Sequence, residues 1–167
     1  CSRDWIIRQY DHEVRAGTVV KPLQGAIGKE SHGDAAVLKP LENSFRGLAL
    51  TADVNPRYME LDPYWGACSV LDESCRNMVA VGAMPHSFAD CLNYGNPEKP
   101  DRLGYFAETA RGFGDLARHL GVPFVSGNVS FYNETSGEAI YPTPTIGMVG
   151  LIDDIEHHCT QWWKHDG

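Results

Sequence analysis

The chain has 167 residues, 43% of them hydrophobic and 22% charged, which suits a single domain with a real core. A formal charge of −8 argues against a nucleic-acid partner, because binding through phosphate neutralisation needs basic residues. No apolar run approaches the ~18 residues of a membrane span, so no membrane partner is expected.

Ser2 can cap a short helix through RDWIIRQY, with Trp5, Ile6, Gln9 and Tyr10 on one side. Residues 17–33 read as a loop with one short extended piece. DAAVLKP and FRGLALTADV form a hairpin around a polar turn at Leu41–Ser44. NPRYMELDPYWG (55–66), with two prolines, reads as a long loop. A helix follows from Gly66 to Val81, since small and apolar residues at 67, 70, 71, 75, 78 and 79 make one buried stripe. Gly82 and Pro85 end it. HSFADCLNYG (86–95) is a strand leading into the turn GNPEKP. A second helix, about 100–120, is expected to bury Leu103, Phe106, Ala107, Ala110, Gly114 and Ala117, with Gly121 closing it. PFVSGNVSFYNE (123–134) is a strand, NETSGE a turn, and PTIGMVGLID the last strand.

Strands, helix, strand, helix, strand, strand make one α/β domain over 1–167: a lead-in at 1–16, a core at 17–155, and the start of a linker at 156–167. The first residue is cysteine and the last residues stop where a turn begins, so the chain is expected to be a segment of something larger.

The five cysteines (Cys1, Cys68, Cys75, Cys91 and Cys159) are odd in number and form no CxxC pair. That usage fits a reducing, cytoplasmic compartment, with Cys68, Cys75 and Cys91 reduced and mostly buried. His157, His158 and Cys159 are adjacent with no second half-site, a poor basis for zinc. GAIGKES (25–31) has the Gly-Lys of a phosphate loop but the wrong glycine spacing.

Polar groups cluster at predicted strand ends, in FADCLNYGNPEKP, VSGNVSFYNE and YPTPTIGMVG. Loops at strand ends are where open α/β sheets place ligands. In the second of these stretches Gly127 breaks an apolar run and removes a side chain where backbone must come close to something. Asn128 offers a neutral carbonyl oxygen of the kind a hard cation accepts. Ser130, two residues on, shares its face of the strand. From spacing alone, Gly127 can equally mark a β-bulge, Asn128 a turn, and Asp90 a buried pair with an arginine. Asp53, Asn55 and Arg57 form another cluster that can face a phosphate or simply be solvated.

These strings, together with YDHEVRAGTVVKP, GDAAVLKP, NPRYMELDPYWGA and ESCRNMVAVGAMP in the same order, resemble formylglycinamide ribonucleotide amidotransferase (phosphoribosylformylglycinamidine synthase) of purine biosynthesis. The resemblance is to the amino-terminal α/β domain of the second synthetase half, and covers nearly the whole chain. It implies a fold like the amino-terminal domain of aminoimidazole ribonucleotide synthetase: a mixed sheet of about four strands, helices on one face, and a sheet that pairs with a partner domain into a barrel. It also implies an ATP-dependent ligase, in which ATP phosphorylates an amide oxygen and glutamine-derived ammonia displaces the phosphate. Carried over residue by residue, Asp90 and Gly127 contact ATP, Asn128 ligates Mg²⁺ and Ser130 reaches the ribonucleotide substrate.

The family's catalytic histidines and its Ser-His-Asn-His string have no counterpart here, since neither His32 nor His119 stands in such a context. No catalytic residue is therefore assigned, and the chain alone is expected to be inactive. The implied partners are the first-half domain and a glutaminase, with a homodimer expected of the isolated chain. Two other readings stay open: another ATP-dependent enzyme of the aminoimidazole ribonucleotide synthetase superfamily, or a purely structural half-barrel.

Overall fold

A computed structural model describes residues 4–7, 14–26 and 28–164. Ser2, Gln9 and Tyr10 of the expected entry helix lie outside them; what is described there is one helical turn, α1 (Asp4–Ile7), with Trp5 and Ile6 exposed.

The remaining elements are β1 (Thr18–Val20), β2 (Leu23–Gln24), β3 (Ser31–His32), β4 (Ala36–Leu38), β5 (Gly47–Asp53), α2 (Pro56–Leu61), α3 (Pro63–Ala80), β6 (Met84–Asn93), α4 (Pro100–Leu120), β7 (Phe124–Ser130), β8 (Glu134–Thr135), β9 (Glu138–Ala139) and β10 (Thr143–Ile152). A mixed sheet of six strands runs β1-β4-β5-β10-β6-β7, antiparallel throughout except for the β6–β7 pair. Six strands replace the expected four or so. The short extended piece at Thr18–Val20 pairs with β4 and extends one edge, and β7 forms the other. GAIGKES joins the two-residue strands β2 and β3, so no strand delivers it to a helix.

The loop expected over 55–66 is two helix starts. Asn55 accepts the Tyr58 N–H at 3.3 Å and Asp62 accepts the Trp65 N–H at 2.9 Å, each as an N-cap, with Pro56 and Pro63 in the first turns behind them. Capping therefore accounts for Asn55. Asp53 is tied to α3, accepting from Ser74 Oγ at 2.8 Å and Asn77 Nδ2 at 2.9 Å, while Arg57 is exposed.

Helix α3 buries Ala67, Val70, Leu71 and Met78 as expected, along with Ser74. Cys75 is only partly buried, and Val79 is exposed. The buried face of α4 is rotated from the expected one. Thr109, Gly112, Phe113 and Ala117 are buried, while Leu103, Ala107 and Ala110 are exposed. Small and polar residues decide this face. A Cβ on Gly112 would stand 2.6 Å from the Tyr64 carbonyl oxygen of α3, and Thr109 Oγ1 accepts from the buried Tyr94 hydroxyl at 2.8 Å. Gly121 takes a left-handed φ of 70° and ends α4 as the sequence indicates.

Burial alternates strictly along most of β10: Pro144, Ile146, Met148, Gly150 and Ile152 face the helices. Register then assigns Phe88, Asp90 and Leu92 of β6 to the same covered face. The opposite face carries Leu48, Leu50, Val149 and Leu151, which are half-buried or exposed. At one end the sheet is therefore apolar on both sides.

A candidate nucleotide and substrate site on two parallel strands

The four candidate residues lie on β6 and β7. Asp90 pairs in register with Gly127, Cys91 with Asn128, and Asn93 with Ser130. Parallel neighbours in register share a face, so the four divide into two pairs. Asp90 and Gly127 belong to the helix-covered face. Asn128 and Ser130 belong to the open face, beside Cys91 and Asn93. The expected sharing of a face by Asn128 and Ser130 follows from this register. One cleft holding all four would have to wrap the edge of the sheet, and β7 is that edge. Val125 through Val129 are exposed, and among the described residues no strand lies beside one row of β7 backbone groups.

Gly127 has a specific neighbour. A Cβ added there would stand 2.6 Å from both Asp90 carboxylate oxygens. The bare backbone thus makes room first for the Asp90 side chain, which lies across it. The Asn128 backbone N–H lies near enough to that carboxylate to favour its charged form. Burial among apolar neighbours pushes the Asp90 carboxyl above its usual range, and the Asn128 N–H partly offsets the rise. No arginine pairs with Asp90 among the described residues. The buried-pair alternative for Asp90 thus has no partner among the described residues.

On the open face the polar residues lie in two rows across three strands. Thr143 of β10, Asn93 of β6 and Ser130 of β7 make the outer row; Thr145, Cys91 and Asn128 make the next. Asn128 Nδ2 approaches Cys91 Sγ at 4.0 Å. Cys91 is exposed here, correcting its expected burial: it alternates with Leu92 and so points away from the helices. Asn93 Nδ2 donates to the Cys91 carbonyl at 3.2 Å and the Thr143 carbonyl at 3.4 Å.

Residues beyond the four hold this end of the sheet together. The Ser130 carbonyl accepts from Tyr94 N–H at 2.9 Å and from Asn133 Nδ2 at 3.0 Å, and Asn133 Nδ2 also reaches the Tyr94 carbonyl at 3.0 Å. Glu134 accepts from Asn96 N–H at 3.1 Å and from Lys99 Nζ at 3.0 Å, which holds its carboxyl below the usual range. The sequence points to no role for Asn93 or Thr143, and to no site role for Asn133. Asn93 could have been found, since it lies two residues from Cys91 in an alternating strand.

Such a sheet, with a polar end on its open face and helices on the other, defines a class. Residues 32–152 match the family described as AIR synthase related protein, N-terminal domain, and the chain belongs to that family. Within it the chain is similar to PurL proteins. It is 50% identical over 167 residues to phosphoribosylformylglycinamidine synthase subunit PurL of Thermoplasma acidophilum, a match over 100% of this chain and 22% of that protein. The structure of PurLQS from Thermotoga maritima aligns with a TM-score of 0.80 and 29% identity, over 95% of this chain and 25% of that one. Thermotoga maritima PurL complexed with ATP aligns at 0.75 with 29% identity, and the same protein complexed with FGAR at 0.75 with 30%; each match covers 93% of this chain and 24% of that one. The chain thus spans about a fifth to a quarter of the length of these relatives.

Proposed function

We propose that this chain is the ATP-binding part of a synthetase that converts formylglycinamide ribonucleotide to its amidine, using ATP and glutamine-derived ammonia, in cytoplasmic purine biosynthesis. The observation that carries this is the pairing of Asp90 with Gly127 on one face of two parallel strands while Asn128 and Ser130 share the other, at the exposed sheet edge. Likeness to a PurL complexed with ATP and with FGAR supports the ligand classes.

In this reading Asp90 accepts from the nucleotide, and the edge backbone at Gly127 lies against its phosphates. Mg²⁺ neutralises phosphate charge when bound, and Asn128 Oδ1 is the oxygen this chain offers it. The fit is that of a shared site. Among the described residues no three His, Cys, Asp or Glu side chains converge as a metal cage, so Asn128 would contribute one oxygen and the remaining ligands would come from outside these residues. Ser130 meets the ribonucleotide. The apolar half of the open face, with Leu50 and Leu151, is the surface for a first-half synthetase domain, and a second copy of the isolated chain substitutes for it there. The glutaminase joins in the complete enzyme.

The test is nucleotide exchange at this site in the complete protein. Labelled nucleotide that leaves and is replaced once per catalytic cycle supports a working site. Nucleotide retained through many turnovers supports the structural half-barrel instead.

A further inference from the structure

We infer that Asn93 is a second substrate-contacting residue, reading the same ligand as Ser130 through its side-chain oxygen. The inference rests on the reading of Ser130 given above and extends it by one strand. Asn93 and Ser130 are register partners on adjacent parallel strands, about 4.8 Å apart across the sheet, and both face the open side.

The orientation of the Asn93 amide matters most. Its Nδ2 is taken by the Cys91 carbonyl at 3.2 Å and the Thr143 carbonyl at 3.4 Å, with Cys91 Sγ at 3.6 Å. Two backbone acceptors fix the nitrogen inward, so Oδ1 is the atom presented outward. No donor reaches Oδ1 among the described residues, and the Ser130 hydroxyl has no protein partner either. The Asn133 side chain binds the Ser130 carbonyl at 3.0 Å, which sets the hydroxyl's strand against Asn93 without using the hydroxyl itself. A fixed acceptor beside a hydroxyl free to donate or accept suits a ligand that brings a donor to the sheet. Formylglycinamide ribonucleotide has donors of two kinds, the ribose 2′- and 3′-hydroxyls and its two amide N–H groups. Asn93 thus selects for a ligand donor rather than for phosphate, which an acceptor oxygen repels.

The experiment uses the full-length synthetase with its glutaminase. Asn93→Leu keeps the shape and removes the polar atoms, and Asn93→Ala is the second variant should the first fold poorly. Either is expected to raise KM for the ribonucleotide about five- to tenfold, the worth of one hydrogen bond, with KM for ATP unchanged. Four analogues locate the donor: one lacking the ribose 2′-hydroxyl, one lacking the 3′-hydroxyl, and one methylated on each of the two amide nitrogens. The analogue that removes the true donor costs the wild type five- to tenfold and costs the Asn93 variant nothing further. If none of the four analogues is coupled to Asn93, or if the variant weakens ATP instead, the inference is overturned. Ser130→Ala separates the two claims. If it leaves ribonucleotide KM unchanged, the underlying reading fails; if it raises KM while Asn93→Leu does not, only the inference fails.

Discussion

The Asp90 carboxylate occupies the space that a side chain at position 127 would need, with both of its oxygens 2.6 Å from the place of a Cβ. The two positions are thus one unit. Gly127→Ala must displace Asp90, and is expected to destabilise by about 1–3 kcal/mol, as overpacking does. Asp90→Ala removes the obstacle, so the double variant should lose less than the sum of the two single changes. Chemical denaturation of the four proteins measures the coupling. Strict additivity would mean that Gly127 serves something other than Asp90.

Asp90 itself should cost stability at neutral pH. Burial raises its folded-state pKa above the unfolded value of about 3.9, so the folded chain binds the proton more tightly than the unfolded one. The cost is complete above the folded pKa and absent below the unfolded one. Asp90→Asn is expected to melt higher than the parent at pH 7, with the gap closing as pH falls toward 4. Loss of nucleotide affinity in the same variant would mark a residue retained for binding at the expense of stability.

Asn128→Ala should leave the fold intact, since its side chain makes a single long contact at 4.0 Å. In the full-length enzyme the rate should fall roughly a hundredfold, about 3 kcal/mol of transition-state stabilisation, and half-saturation by magnesium should move to higher concentration. A variant that melts early but keeps its magnesium dependence would make Asn128 a folding residue.

The isolated chain is expected to self-associate through its open sheet face. Sedimentation at micromolar concentration should give a dimer, and Leu50→Lys or Leu151→Lys should return it to monomer without lowering the melting temperature. Both side chains are already partly exposed in the single chain, 38% and 43%, so the charge harms only the interface.

The order of the main elements and the β4–β5 hairpin were legible because period and turn chemistry agree there, whereas the pairing of β10 with β5 and β6 was not. Other features were less so. Asn55-Pro56 and Asp62-Pro63 carry full helix-start signals, yet two prolines in twelve residues suggested a loop. The face of α4 was missed because a rule that counts apolar residues passes over Gly112 and Thr109. Each is buried for a reason outside its own helix: the nearness of Tyr64 and the hydroxyl of Tyr94. The site residues could be named from their strings, and alternation separates Gly127 from Asn128 and Ser130, but which of them Asp90 stands beside was not legible. That depends on the register of β7 against β6, which is set only after α4 has carried the chain across the sheet.

Because β7 has a neighbour on one side only, it is joined to the domain more weakly than β5, β6 or β10, each paired on both sides. Three of the four candidate residues ride on that strand. Amide hydrogens of Gly127 and Asn128 should therefore exchange with solvent through local detachment of the edge, well before the sheet's centre opens. A ligand bridging Asp90 or Asn93 to β7 would act as a clasp and slow that exchange. Occupancy of such a site and attachment of its outermost strand would then be linked equilibria, each favouring the other.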